Sequence, residues 1–128
     1  MAKKKINKLR KSFYFAWRGV KYTFLNEQNF RLQLLAAIIV VICMAAFRIK
    51  QWEAVALILM VAFVLTAEIL NTVLERFVDI LQPRLHVYSE IIKDMMAALV
   101  LLSSISALLI GFIIFYPYFY TLIADFVL

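Results

Sequence analysis

The stretch LTAEILNTVLERFVD, Leu65 to Asp79, decides how this chain folds, because it sets three carboxylates and an amide into a run apolar enough to lie in lipid. At about 100° per residue, Glu68, Asn71, Glu75 and Asp79 fall at about 0°, 300°, 340° and 20° around a helix, so they form one narrow stripe. The helix that carries them reads as a membrane span from near Trp52 to near Leu74, with its polar residues confined to the last third. Glu68 then lies about 6 to 10 Å inside one membrane boundary, Glu75 near that boundary and Asp79 just beyond it. A charge at membrane depth costs a few kcal/mol or more, so it normally faces a packed polar interior and is a functional candidate by default. The competing reading is a polar knot that only holds helices together.

The rest of the chain supports a membrane setting. Of 128 residues, 66% are hydrophobic, well above the roughly 45–50% of soluble domains. Leu32 to Phe47 reads as a first span, flanked by Arg31 and Arg48, with Gln33 its one polar residue. Met95 to Tyr116 reads as a third, its Ser103, Ser104 and Ser106 being mild enough for a helix packed against neighbours. The expected fold is all-α: an amino-terminal amphipathic surface helix over about 5–28 and membrane helices over about 30–48, 52–80 and 91–116, in a single domain covering 1–128. With two glycines, Gly19 and Gly111, there is no Gly-rich loop to cradle phosphates, so a nucleotide would have to be held by side chains. The one cysteine, Cys43, lies inside an apolar run and reads as packing.

Charge gives the orientation. Lys3, Lys4, Lys5, Lys8, Arg10, Lys11, Arg18 and Lys21 precede the first span, whereas the first connection offers only Arg48 and Lys50. Basic residues stay on the cytoplasmic side, which places the amino terminus and the Arg76–Lys93 connection there and the carboxyl terminus outside. No removable signal peptide is expected, nor a nucleic-acid partner. Ile6, Leu9, Phe13, Trp17, Val20 and Phe24 recur at spacings of three and four, one face of a helix lying on the membrane surface.

Carboxylates gather at this cytoplasmic boundary: Glu27 just before the first span, Glu75 at the end of the second, and Asp94, beside Lys93, at the start of the third. Such a concentration suggests a divalent cation, since hard ions take oxygen ligands and bridge to phosphates. Taken alone, Lys93–Asp94 also reads as a plain helix-end pair. Depth points to a substrate class. ATP stays in water and a lipid alcohol keeps its hydroxyl at the headgroup level, so phosphoryl transfer between them can occur only at the interface. The alternative is a small oligomeric transporter or channel whose Glu68 binds an ion. Against it, Ala54 to Leu65 is wholly apolar and offers no polar route across the membrane.

The sequences KSFYFAWRGVKYTFLNEQNFR and AEILNTVLERFVD, followed by His86 and Lys93-Asp94, closely resemble the prokaryotic diacylglycerol kinase and undecaprenol kinase family of small membrane enzymes. The resemblance runs from about Lys8 to Phe115. It implies a homotrimer with active sites shared between protomers, at the bacterial cytoplasmic membrane, using ATP as donor and Mg2+ as cofactor. It also implies Glu68 as general base, Glu27 and Glu75 as metal ligands, and Lys8, Asn71, His86, Lys93 and Asp94 around the nucleotide. The expected reaction is phosphorylation of a membrane lipid alcohol. The NFR of Asn29–Arg31 and the short RIKQWE connection look more like the undecaprenol branch than the diacylglycerol one. The chain departs from the family in reading PRLH before and at His86, with Arg84 and Leu85 in the middle, and in placing Met96, Ala98 and Leu99 where the family runs small. No carboxylate is lost.

Overall fold

A computed structural model describes residues 2–81 and 86–127, with side chains over 6–81 and 88–124. Four helices follow in order: α1 Ala2–Asn26, α2 Gln28–Phe47, α3 Gln51–Leu81 and α4 His86–Val127, with no strand among the described residues. Three of them, α2, α3 and α4 from Tyr88 to Ala124, are long and apolar enough to cross a membrane. Large apolar side chains such as Leu35, Ile42, Leu59, Phe63, Leu108 and Phe112 stay on the outside. In water such a surface would be an aggregation liability; in a bilayer it is the surface the solvent prefers.

The first connection is a single residue. Glu27 is extended (φ −110°, ψ 117°), and its N–H donates to the Thr23 carbonyl at 2.8 Å. The carbonyls left open at the end of α1 are taken up from the next helix: Arg31 Nη1 donates to Phe24 and Leu25 at 3.1 and 3.2 Å. A helix end is thereby capped, and Glu27 is fixed between α1 and α2. Starting at Gln28, α2 is 20 residues long, or about 30 Å at 1.5 Å per residue, which matches the hydrocarbon core. The apolar run from Leu32 alone would be too short; the turn Gln28–Arg31 makes up the difference.

At the other end of α2 the chain reverses within three residues. Arg48 adopts the left-handed conformation (φ 49°) and its N–H returns to the Met44 carbonyl, a common way to stop a helix although the residue is usually glycine. The start of α3 is capped by its own third residue, as Glu53 Oε2 accepts the Lys50 N–H at 2.9 Å, half of a capping box. The same oxygen accepts the Tyr118 hydroxyl of α4 at 2.6 Å. Glu53 is therefore buried, 7% exposed, yet it is satisfied from two directions. Around this tie sit Leu57, Ile114 and Phe115, with Cys43 and Phe47 of α2 packed against them and Phe47 edge-on to Phe119 at 4.8 Å. Packing is what Cys43 does.

The helix α4 departs from expectation at both ends. It begins at His86 rather than about 91 and continues through Pro117 to Val127, beyond the expected stop near 116. Proline at 117 removes one backbone N–H, but the residues after it are helix-compatible and apolar, and membrane helices tolerate such a break because neighbours re-satisfy the freed carbonyl. The apolar face of α1 stays largely uncovered by the protein, with Ile6, Leu9, Phe13 and Trp17 all exposed. Thr23, near its end, is buried.

Candidate active site

The polar stripe of α3 turns inward. Glu68 is 2% exposed, and Glu68, Asn71 and Glu75 line one cavity of about 400 Å³ with Asn29 and Gln33 of α2 and Ser104 of α4. The helical period places the three α3 side chains one above another. Within the stripe, Asn71 Nδ2 donates to Glu75 Oε1 at 3.2 Å, an i,i+4 contact that holds both side chains to one face. Thr72, buried beside them, spends its hydroxyl on the Glu68 carbonyl at 3.0 Å.

Glu68 is held from another helix: Gln33 Nε2 donates to its Oε2 at 3.0 Å. Gln33 also lines a second cavity of about 320 Å³, walled by Ala36, Ala37, Val40, Val61 and Val64. Ser104 and Leu32 belong to both. Polar and apolar spaces thus meet at Gln33, beside the deepest carboxylate.

The other expected site residues with described side chains, Lys8, Glu27, Lys93 and Asp94, are not in the lining of this cavity. Glu27 and Glu75 both lie within electrostatic range of Glu68. Glu27 accepts from Arg76 Nη2 at 3.4 Å, the arginine being half exposed and the glutamate 19% exposed. Lys93 Nζ sits 2.7 Å from Asp79 Oδ1, so the lysine is engaged with the outermost acid of the stripe. Asp94 is exposed, and neither it nor Lys93 lines the cavity. Lys8 is exposed on α1, with its carbonyl accepting the Ser12 hydroxyl at 3.1 Å. His86 is the first residue of α4; its side chain, and the positions of Arg84 and Leu85, lie outside the described residues.

Two residues in this arrangement carry no expectation from the sequence: Gln33, whose only signal is being the one polar residue of the first apolar run, and Arg76, which lies about 100° around the helix from Glu75. Both act across helices.

Among the described residues no three His, Cys, Asp or Glu side chains are gathered as a metal cage. Mg2+ rarely needs one, since it keeps waters and is commonly held by one or two carboxylates plus substrate phosphates. The donor set suits such an ion: Glu75 stands beside Asn71, whose Oδ1 is buried without a hydrogen-bond partner. An orphaned amide oxygen next to a carboxylate is a hard-cation environment.

The comparison with known proteins follows the same residues. The sequence profile of the prokaryotic diacylglycerol kinases matches residues 14–115. The chain belongs to that family. Members of the prokaryotic diacylglycerol kinase family similar to it include the diacylglycerol kinase of Synechocystis sp., 34% identical over 101 residues, which are 78% of this chain and 58% of that protein. The undecaprenol kinase of Bacillus subtilis is 31% identical over 112 residues, covering 88% of this chain and 91% of its own. The diacylglycerol kinase of Escherichia coli is 30% identical over 105 residues, covering 82% and 86%. By family the chain is a membrane lipid kinase, which carries with it ATP as phosphoryl donor. Every expected site residue except Lys8 lies inside the matched segment.

Proposed function

We propose that the protein phosphorylates a membrane lipid alcohol with ATP at the cytoplasmic interface, undecaprenol in preference to diacylglycerol, with Glu68 as the general base. One observation carries the reading: a buried carboxylate, held by an amide from a neighbouring helix, stands in the wall of a polar cavity that adjoins an apolar one. A lipid entering from the bilayer would bring a hydroxyl to Glu68 with its chain in apolar surroundings. The hydroxyl oxygen attacks the γ-phosphorus, its proton passes to Glu68, and the bond to ADP breaks. Such transfer depends on positioning and on charge neutralisation more than on covalent chemistry.

Glu27 and Glu75 would hold Mg2+; Asn71 is hydrogen-bonded to Glu75 through its Nδ2. When bound, the ion supplies charge neutralisation at the donor phosphates. Lys8, Asn71, His86, Lys93 and Asp94 are assigned to the nucleotide; for Lys93 this requires release from Asp79, a pair whose exposure makes it cheap to open. The amino terminus is cytoplasmic and the carboxyl terminus outside, α1 lies on the membrane surface, and the active unit is a homotrimer whose sites are shared. Undecaprenol is favoured by NFR at Asn29–Arg31 and the short RIKQWE connection.

Purified protein given ATP, Mg2+ and each lipid separately, with products resolved by thin-layer chromatography, tests the reading. Faster turnover of undecaprenol is expected. A folded preparation that phosphorylates neither lipid would overturn the proposal, and one that prefers diacylglycerol would reverse the lipid assignment.

A further inference from the structure

The carboxylates around the candidate site outnumber the cations that neutralise them. Glu27 and Glu75 both act electrostatically on the buried Glu68. Among the described residues one basic side chain forms an ion pair with any of the three: Arg76, whose Nη2 lies 3.4 Å from Glu27 Oε1. The other nearby cations are engaged elsewhere. Arg31, on the first turn after Glu27, donates to the Phe24 and Leu25 carbonyls, and Lys93 sits on Asp79. Arg76 follows Glu75 directly but is turned about 100° from it, so it meets Glu27 at the α1–α2 junction and takes no part in lining the cavity.

The Arg76–Glu27 pair is poorly made for a structural tie. A charge-assisted N–H···O bond is ordinarily about 2.7–2.9 Å long, and arginine commonly holds a carboxylate through two N–H groups. Here there is one contact, at 3.4 Å, and the arginine side chain is half exposed. Such a pair contributes little to stability and opens readily. What it does supply is a positive charge on a carboxylate that otherwise has only like charges for neighbours.

We infer that Arg76 is a specificity-determining residue for the metal: it occupies Glu27 with one positive charge, which a monovalent ion gains nothing by replacing and a divalent ion displaces. This rests on the lipid-kinase reading, in which Glu27 and Glu75 hold the cation. Charge decides the discrimination. Exchange of a guanidinium for Na+ or K+ leaves the net charge beside the three carboxylates as it was. Exchange for a divalent ion adds one unit there, where partial burial strengthens the attraction. Without Arg76 a monovalent ion is free to settle on Glu27, and the divalent ion has to evict it.

The test is metal binding without nucleotide. Full-length protein in detergent micelles is titrated with Mn2+, and the free ion is read by electron paramagnetic resonance, for wild type, Arg76→Gln, Arg76→Lys, Glu27→Gln and the double variant Glu27→Gln/Arg76→Gln. Each titration is run at about 100 mM salt, to screen surface charge equally, once as sodium chloride and once as tetramethylammonium chloride, whose cation is too bulky to sit on a carboxylate pair. In the tetramethylammonium salt, Arg76→Gln should bind Mn2+ about two- to fivefold more tightly than wild type, the effect of removing an exposed ion pair. Arg76→Lys, which keeps the charge, should stay near wild type. In the sodium salt the gain of Arg76→Gln should disappear, while wild type binds alike in both salts. With Glu27 already neutral, Arg76→Gln should change nothing.

The inference is overturned if Arg76→Gln shows no gain in the tetramethylammonium salt, or if sodium weakens wild type and Arg76→Gln equally. It is also overturned if lysine behaves as glutamine does, or if the gain persists in the Glu27→Gln background, which would make it a long-range effect of net charge. Any of these in a wild type that phosphorylates lipid strikes the role of Arg76 alone. A folded wild type that phosphorylates neither lipid would instead count against the kinase reading itself.

Discussion

Replacing Glu68 by glutamine separates the two roles a buried carboxylate can have. The side chain is 2% exposed and receives one hydrogen bond, from Gln33 at 3.0 Å. Glutamine has the same length, its own carbonyl oxygen can accept that bond, and the Thr72 hydroxyl bond is to the backbone of residue 68 and survives the change. Packing and hydrogen bonding are therefore conserved, while the charge, which costs free energy wherever it is buried, is gone. The unfolding temperature in detergent should stay the same or rise. Activity should go the other way. A positioned base contributes about 10²–10⁴-fold, so about 2.7–5.4 kcal/mol of barrier returns at 1.36 kcal/mol per tenfold. Transfer of labelled phosphate from ATP to extracted lipid, read beside a thermal unfolding curve on the same preparation, measures both. Two results would refute the reasoning: a rate within about threefold of wild type, or a loss of rate that tracks a drop in unfolding temperature. The second would make Glu68 a polar knot.

Other outcomes follow from the same geometry. Glu27→Gln and Glu75→Gln should each raise the Mg2+ concentration needed for half-maximal rate by tenfold or more while sparing KM for the lipid; equal effects on both substrates would argue against metal binding. Arg76→Gln, by releasing Glu27 from its ion pair, should lower that Mg2+ requirement, and an increase would mean the arginine supports the site rather than competes for its carboxylate. Tyr118→Phe leaves buried Glu53 with the Lys50 N–H alone, so the unfolding temperature should fall while KM for MgATP is unchanged. A change in KM would connect this far end of the bundle to nucleotide binding.

Much of the fold is written in the one-dimensional pattern, because a membrane span needs only length and apolarity to be recognised. The stripe Glu68–Asn71–Glu75 is legible for the same reason: a helical period and a depth follow from spacing alone. Asp79 belongs to it by angle, yet it pairs with Lys93 across the gap to α4. Nothing in the spacing of either residue chooses that partner over a phosphate. Gln33 and Arg76 show the same limit, since each matters through a residue 35 or 49 positions away, and proximity of that kind is decided by how α2, α3 and the α1–α2 junction pack. The ends of α4 illustrate a different limit. Pro117 is a stop signal in water, whereas the apolar, aromatic residues after it keep the helix going where the medium offers the backbone no other partner.

The ties between helices are unevenly shared. At one end α3 is fastened to α4 through Glu53 and Tyr118, and at the other through Asp79 and Lys93, with a close-packed seam between. Among the described residues, one side-chain hydrogen bond joins α2 to α3 at the level of the cavity, the Gln33–Glu68 amide–carboxylate pair, and α2 continues into α1 through the extended residue Glu27. The α3–α4 pair is thus a fixed door frame and the α1–α2 arm the leaf hung against it. Drawing α2 away from α3 would break that one amide–carboxylate bond, whereas drawing α4 away would break ties at both ends.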